Sequence, residues 1–237
     1  MIATFCGLNY VGVPLTADFA IDIDATRVAI MTHQPAITFI AYPNNPTGNL
    51  FNRDEMREII RISPGLVVID EAYFAFSSDS FLNEIVEFPN AVLMRTVSKL
   101  GLAGLRLGLL AGHPDWIREF DKVRLPYNIN SLTQVAAAFA LKHYGALLEQ
   151  TATLRAERER LSSELREFPG VTVFPSEANF VLVRVENSEK TFNALLSRKI
   201  LVKHTNASHP LLRNTLRLTI GTPAENAALL SALRSVH

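Results

Sequence analysis

Four short runs of aliphatic and β-branched residues restrict the folds open to the first half of the chain. The runs are AITFIAY (36–42), GLVVID (65–70), NAVLMRT (90–96) and LRLGLLAG (105–112). Apolar runs of this length are typical of strands buried on both faces, as in a largely parallel sheet. The segment NRDEMREIIRIS between the first two begins with the capping residue Asn52 and has apolar residues at helical spacing. The order strand, helix, strand predicts an α/β fold with a mainly parallel sheet flanked by helices.

The pattern changes after residue 128. Helical periodicity covers 131–144 and 146 to about 168, and the second stretch carries Glu and Arg three and four residues apart, which predicts a solvated helix face. Strand-like VTVFP, NFVLVRV, ILVKH and TLRLTIGT follow, with a helix at 189–199 and a last helix that begins at Pro223 and is capped by Thr222. We therefore predict a large domain at 1–128, and interdomain helices with a smaller α/β domain at 129–237.

Charge and cysteine content argue against several classes of function. The 237 residues include 23 basic and 23 acidic side chains, a formal net charge of zero, so we expect neither nucleic acid nor a membrane as partner. No stretch is typical of a signal peptide or a membrane span. The single cysteine, Cys6, excludes an intramolecular disulfide, is expected to be a packed thiol and fits a cytoplasmic location. The six histidines show no metal-ligand spacing.

Polar residues follow three of the apolar runs directly, in PNNPTG, DEAY and TVSK. Ligands of parallel sheets bind beyond the carboxyl ends of the strands. Asp70 follows four apolar residues, where a carboxylate is costly unless it meets a cation. Lys99 has apolar and small neighbours, and a partly desolvated amine is a nucleophile toward carbonyls. Thr96, Ser98 and Arg106 offer hydrogen-bond donors suited to a phosphate.

These groups match the aldehyde, phosphate and protonated ring nitrogen of pyridoxal phosphate. Taken singly, each residue is more often a helix cap, a turn residue or a solvent-facing side chain. Taken together, they favour a site for pyridoxal phosphate.

The motifs YPNNPTG (42–48), VVIDEAY (67–73) and RTVSKLGLAGLRLG (95–108) resemble, in that order, those of the fold-type I pyridoxal-phosphate aminotransferases. The last two resemble the histidinol-phosphate aminotransferases in particular, and LPYNINSLTQVAA and LRLTIGTPAEN extend the resemblance over most of the chain. It implies a cytoplasmic homodimer that moves an amino group between glutamate and imidazole-acetol phosphate in histidine biosynthesis. An aromatic aminotransferase, a threonine-phosphate decarboxylase and an inactive remnant are the alternatives.

The resemblance also implies roles for the matched residues. Lys99 would bond to the cofactor aldehyde and then move a proton between the substrate α-carbon and the cofactor. Asp70 would keep the pyridine nitrogen protonated, and Asn45 and Tyr73 would hydrogen-bond the ring's phenolic oxygen. The phosphate would be anchored by the donors named above, Thr96, Ser98 and Arg106.

Substrate recognition is implied for two cations of the C-terminal half. Arg217, in LRLTIGT, would bind the anionic end of the substrate. Lys203, in ILVKH, stands where the family has a second arginine, so the charge is kept but not the bidentate fork. Asn179 and Tyr127 are further matches, for which buried polar packing is an equal alternative.

Family members begin with an arm, a glycine-containing phosphate loop and an aromatic residue that stacks on the cofactor ring. All three precede the segment matched here, and by the resemblance roughly a third of the usual chain lies before it. Residues 1–128 are therefore expected to be a partial cofactor-binding domain that lacks one wall of the pocket and much of the dimer contact.

Overall fold

The computed structural model describes residues 2–236, which form two four-stranded sheets and the helices packed on them. The strands of the first sheet are, in spatial order, β1 (Ile37–Ala41), β2 (Leu66–Asp70), β3 (Ala91–Thr96) and β4 (Gly108–Gly112). Those of the second, in the order β5, β6, β8, β7, are β5 (Thr172–Val173), β6 (Phe180–Arg184), β7 (Lys203–His204) and β8 (Thr215–Thr219). The helices are α1 (Ile2–Phe5), α2 (Ile23–His33), α3 (Arg53–Ile62), α4 (Pro114–Val123), α5 (Ser131–Lys142), α6 (Tyr144–Arg166), α7 (Ser188–Ser197) and α8 (Pro223–Arg234).

The first sheet is mainly parallel, as predicted. β1, β2 and β3 run parallel, and β4 returns antiparallel to β3. The prediction that all four strands are buried on both faces is wrong for β1 and β4, because these two strands form the edges of the sheet. Phe39 of β1 is 67% exposed and Leu109 of β4 is 52% exposed, whereas β2 is buried from Leu66 to Ile69.

The helix α3 closes the β1–α3–β2 unit and covers one face of the sheet. It begins at Arg53 because the Asn52 side chain accepts hydrogen bonds from the backbone N–H groups of Asp54 and Glu55. Its buried stripe includes Met56 and Ile60 and packs in one core with the inward residues of β1, β2 and β3. This packing joins α3 to all three parallel strands.

The second sheet is antiparallel throughout and has a core of its own. The apolar faces of α6, α7 and α8 pack on it, with Leu161, Leu195 and Leu230 among the fully covered side chains. The predicted cap of α8 is confirmed: Thr222 and Glu225 form a reciprocal capping box.

Two side chains differ from the sequence-based expectation. Arg158, a member of the Glu- and Arg-rich run on α6, is buried, although the run was predicted to be solvated. Cys6 is exposed and not packed. Across residues 2–236, no helix combines the length and apolar character needed to cross a bilayer.

Candidate active site

The carboxyl ends of the three parallel strands lie side by side, as the sequence predicts. Ala41 is paired with Asp70, and Asp70 with Met94. The ladder continues one step past the strands, because Tyr42 N–H donates to Asp70 C=O (2.8 Å) and Glu71 N–H to Met94 C=O (2.8 Å). The turns that follow the strands therefore start from one rigid edge.

Asp70, Tyr73 and Lys99 come together at this edge. Burial raises the pKa of the Asp70 carboxyl above its usual value, against the hydrogen bond from Ala72 N–H (3.0 Å) and the charge of Lys99, which lower it. The Lys99 Nζ lies 5.2 Å from the centroid of the Tyr73 ring. Tyr73 is buried and meets Phe180 of β6 edge to face at 5.1 Å. An exposed amine thus stands beside a half-buried carboxylate.

Thr96 and Ser98 form a hydroxyl pair in the turn after β3. Thr96 Oγ1 accepts a hydrogen bond from Ser98 N–H (3.0 Å), lies 2.8 Å from Ser98 Oγ and donates to Leu107 C=O (3.2 Å). The bond to Leu107 brings the neighbouring Arg106 to the same turn. Arg106 has a left-handed backbone (φ +50°), and its exposed guanidinium donates to Ala103 C=O at 3.4 Å. The two hydroxyls are assembled, whereas Arg106 shares the turn without being held against them.

Arg217 and Asn45 connect the two sheets. The Nη1 of Arg217, on β8, donates to Asn45 Oδ1 at 2.6 Å, and the guanidinium stacks on Phe180 at 4.8 Å. Within residues 2–236, the Nε of Arg217 is the one buried side-chain nitrogen or oxygen without a hydrogen-bond partner. Lys203 is paired with Arg217 across β7 and β8, and directly paired residues share a face of the sheet. Two cations therefore lie next to each other, and one has an unused donor.

The two remaining matched residues occupy different settings. Asn179 directly precedes Phe180, and its backbone C=O accepts a hydrogen bond from Ile220 N–H (2.9 Å). Tyr127 is 99% exposed and is not packed into the site.

A buried ion pair behind the site was missed at the sequence level. The Glu71 carboxylate is completely buried and accepts hydrogen bonds from Arg95 Nε (3.0 Å) and Nη2 (2.8 Å), Ser80 Oγ (2.9 Å) and Phe81 N–H (2.7 Å). The Arg95 guanidinium also stacks on Phe74 at 4.3 Å. The pair joins the ends of β2 and β3.

A signal for this pair is present in the motif DEAY. Two consecutive acids after a buried strand point to opposite sides, so only one of Asp70 and Glu71 can face the crevice. The other needs a buried cation, and Arg95, next to Thr96 on the adjacent strand, supplies it. The ion pair thereby fixes the backbone that carries Asp70 and Thr96.

Replacing Arg95 by methionine is expected to lower the free energy of unfolding by about 3 kcal/mol, because it leaves the Glu71 charge buried without its partner. Urea denaturation measures the change. Arg118, in an exposed pair with Asp115, is the matched control, and its methionine variant should lose no more than about 1 kcal/mol. Equal losses in the two variants would show that the buried pair does not hold the strand ends.

The fold and the residues gathered at its strand ends define the architecture of the fold-type I transferases. Residues 1–233 match the family model for aminotransferase class I and II, and the chain belongs to that family.

Individual relatives agree with this family assignment. A histidinol-phosphate aminotransferase of Chromobacterium violaceum is 56% identical over 234 residues, which are 99% of this chain and 66% of the relative. Among solved structures, the histidinol-phosphate aminotransferase from Clostridium acetobutylicum superposes with a TM-score of 0.91 at 27% identity, over 99% of this chain and 73% of its own. That from Sinorhizobium meliloti, in complex with pyridoxal-5'-phosphate, gives 0.87 at 25% identity, over 99% and 67%. The chain thus spans about two thirds of the length of the curated relative.

Proposed function

We propose that the protein transfers an amino group between glutamate and imidazole-acetol phosphate in histidine biosynthesis, with pyridoxal phosphate as cofactor. The hydrogen bond between Arg217 and Asn45 carries the proposal. It sets an anion-binding guanidinium against the strand ends that hold Asp70 and Lys99. Two curated relatives, both histidinol-phosphate aminotransferases, are 56% and 53% identical to this chain, which supports the choice of substrate pair.

The donor set of the site fits pyridoxal phosphate. A phosphate accepts hydrogen bonds from hydroxyls and guanidinium groups, which Thr96, Ser98 and Arg106 supply on one turn. A protonated pyridine nitrogen is stabilised by a carboxylate, and Asp70 is half-buried at the end of β2. The amine of Lys99 is exposed next to it and is free to reach an aldehyde.

Each residue then has a separate task. When bound, the cofactor supplies the electron withdrawal that makes the substrate α-proton acidic. Lys99 would move that proton between the substrate α-carbon and the cofactor carbon C4′. Asp70 would keep the ring nitrogen protonated, and Asn45 and Tyr73 would orient the ring through its phenolic oxygen. Arg217 binds the anionic end of the substrate through its guanidinium group.

The overall reaction has two halves. Glutamate leaves its amino group on the enzyme and departs as 2-oxoglutarate, and imidazole-acetol phosphate then takes the amino group and departs as histidinol phosphate. In each half, the substrate and the enzyme-bound cofactor exchange an amino group for a carbonyl oxygen, so the reaction needs no external oxidant or reductant. Binding orients the α-carbon toward Lys99 in both halves, which supplies much of the rate gain.

Lys203 is expected to distinguish the two substrates. The Lys203→Met variant should raise the KM for histidinol phosphate by about fivefold, since an exposed charge contact with a dianionic phosphate contributes on the order of 1 kcal/mol. The KM for glutamate should change by less than about twofold, because its carboxylate needs chiefly Arg217. Steady-state kinetics with each substrate measures both values. An equal rise in the two KM values would contradict the assignment of Lys203 to the phosphate.

Half-reactions test the function itself. The chain is mixed with pyridoxal phosphate, and the cofactor absorbance is followed after addition of glutamate, histidinol phosphate or an aromatic amino acid. Conversion by the first two supports the proposal. Conversion by the aromatic amino acid but not by histidinol phosphate would favour an aromatic aminotransferase, and carbon dioxide release from threonine phosphate would favour a decarboxylase. No conversion by any of them would favour an inactive remnant.

We also propose that the protein is a cytoplasmic homodimer. Leu132, Val135 and Phe139 form an exposed apolar face on α5, and a face of this kind is typical of an interface. Analytical ultracentrifugation and cell fractionation test the two parts, and a monomer at assay concentrations or a membrane-bound protein would contradict them.

The division into domains at 1–128 and 129–237 is a proposal as well. It is supported by the two separate sheets and their separate cores. Limited proteolysis should cut first near residue 128, and first cuts inside either sheet would contradict the division.

A further inference from the structure

Arg158 is a buried cation in the middle of α6 that the proposed reaction does not use. It is 5% exposed, and its Nη1 donates to the backbone C=O groups of Phe76 (3.0 Å) and Ala178 (3.1 Å). Its carboxylate contacts are Glu159, 3.1 Å from Nε, and Glu177, 3.7 Å from Nη2. Burying a guanidinium is costly, so its two carbonyl partners indicate a structural task that an apolar side chain cannot perform.

The two carbonyls belong to segments that carry residues of the site. Phe76 closes the 3-10 turn after Tyr73, since its N–H donates to Tyr73 C=O at 3.0 Å. Ala178 lies two residues before Phe180, whose ring contacts both Tyr73 and the Arg217 guanidinium. Arg158 therefore ties the turn on the cofactor side to the strand on which Arg217 stacks.

The segment held by Arg158 is also fitted against the turn that contains Asn45. Glu177 N–H donates to Gly48 C=O at 2.8 Å, and the Glu177 carboxylate accepts from Ser78 N–H at 2.8 Å. A Cβ at Gly48 would lie 2.5 Å from Ser176 Oγ, and Gly48 has a φ of +84°. The segment 176–178 therefore packs closely between two turns that follow strands of the first sheet. Leu154 of α6 packs against the same cluster, and Arg158 adds the hydrogen bonds from α6 to Phe76 and Ala178.

We infer that Arg158 is a positioning residue that sets the placement of Arg217 relative to Tyr73, and so the affinity of the site for an anionic substrate. The inference rests on the proposed function in one respect, that Arg217 binds the anion. A single Nη1 bridges the two carbonyls, and lysine, with a shorter side chain, reaches them less well. An apolar side chain bridges neither.

Isothermal titration with glutarate tests the inference, because glutarate is a dicarboxylate that needs neither the cofactor nor Lys99. The Arg158→Met variant is expected to bind glutarate about tenfold more weakly than the parent chain, and Arg158→Lys is expected to restore part of the affinity. Arg155, exposed on the same helix, provides the control: Arg155→Met should bind glutarate like the parent chain.

A second background separates positioning from a general loss of structure. The Arg217→Lys chain keeps the positive charge but loses the guanidinium group that stacks on Phe180. If Arg158 acts by positioning that guanidinium, adding Arg158→Met to this chain should change the affinity for glutarate by less than about twofold, because the effects of coupled residues are not additive. An unchanged affinity in Arg158→Met, or the same loss in both backgrounds, would overturn the inference. If Arg158→Met does not fold, Arg158→Lys against Arg155→Lys gives the same comparison.

The outcome stays distinguishable from that of the proposed function. Glutarate binding that is absent from the parent chain, or insensitive to Arg217→Lys, would overturn the inference, since Arg158 would have no anion site to position. Glutarate binding is measured without pyridoxal phosphate, so failure of the half-reactions leaves the result on Arg158 standing.

Discussion

Replacement of Lys99 by alanine is expected to slow the half-reaction with glutamate by at least about a thousandfold. Lys99 is the base that we propose for the proton transfer, and a positioned general base contributes about 10²–10⁴-fold. The variant would also lack the proposed covalent bond to the cofactor aldehyde. The geometry supports the assignment, because Nζ lies over the Tyr73 ring and close enough to Asp70 for its charge to oppose the rise that burial causes in the pKa of that carboxyl. Absorbance of the cofactor after rapid mixing with glutamate measures the rate.

The control for this prediction is an exposed lysine on α4. Lys122 forms a surface ion pair with Glu119 at 2.5 Å, and Lys122→Ala should leave the half-reaction unchanged. Comparable rates in the Lys99→Ala and Lys122→Ala chains would remove Lys99 from the mechanism.

Replacement of Asp70 by asparagine is expected to have opposite effects on the reaction and on stability. The variant keeps the shape of the side chain but not the charge that, in the proposed mechanism, keeps the ring nitrogen protonated. We expect the half-reaction to slow by about a hundredfold or more. Without cofactor, the same variant should unfold at a higher temperature than the parent at pH 7.

The stability effect follows from the raised pKa of Asp70. Burial raises this pKa in the folded chain, so the folded state holds the proton more tightly than the unfolded state does. The parent therefore loses stability as the pH rises from the ordinary aspartate value, about 4, through the raised value. Asparagine carries no charge, so the advantage of the variant should disappear below about pH 4.

Asp79 provides the opposite case in the same chain. Burial acts to raise the pKa of its carboxyl, but hydrogen bonds from Arg53 and Tyr42 outweigh burial and lower it. The Asp79→Asn variant should therefore be less stable than the parent at pH 7. Thermal unfolding across pH measures both variants. A lower melting temperature for Asp70→Asn at pH 7 would contradict the account of the Asp70 environment.

Local sequence patterns predict the strands and most helices, but not which strands form the edges. The apolar runs predict the bounds of β2 and β3 closely, because a strand buried on both faces has an uninterrupted run of apolar residues. The same pattern in β1 and β4 leaves Phe39 and Leu109 exposed, since the order of strands in a sheet depends on distant pairings. The last apolar run covers 105–112, but the strand begins only at Gly108, after Arg106, whose backbone is left-handed.

Part of the candidate site also follows from local sequence patterns, and part depends on distant contacts. Asp70, Thr96 and Ser98 follow from the rule that parallel strand ends meet at one edge. The contact between Arg217 and Asn45 joins residues 172 positions apart, so only the resemblance pointed to a shared site. Arg158 lies in a run of charges that predicts a solvated surface, and its burial depends on carbonyls 82 and 20 positions away.

The most direct test of the central claim is reduction of the cofactor-treated chain with borohydride, followed by peptide mapping. We predict one cofactor adduct, on Lys99, because this amine alone is assigned to a site that also holds the phosphate and the ring nitrogen. Absence of an adduct, or adducts spread over exposed lysines such as Lys122 and Lys142, would contradict the claim that these strand ends form a pyridoxal-phosphate site.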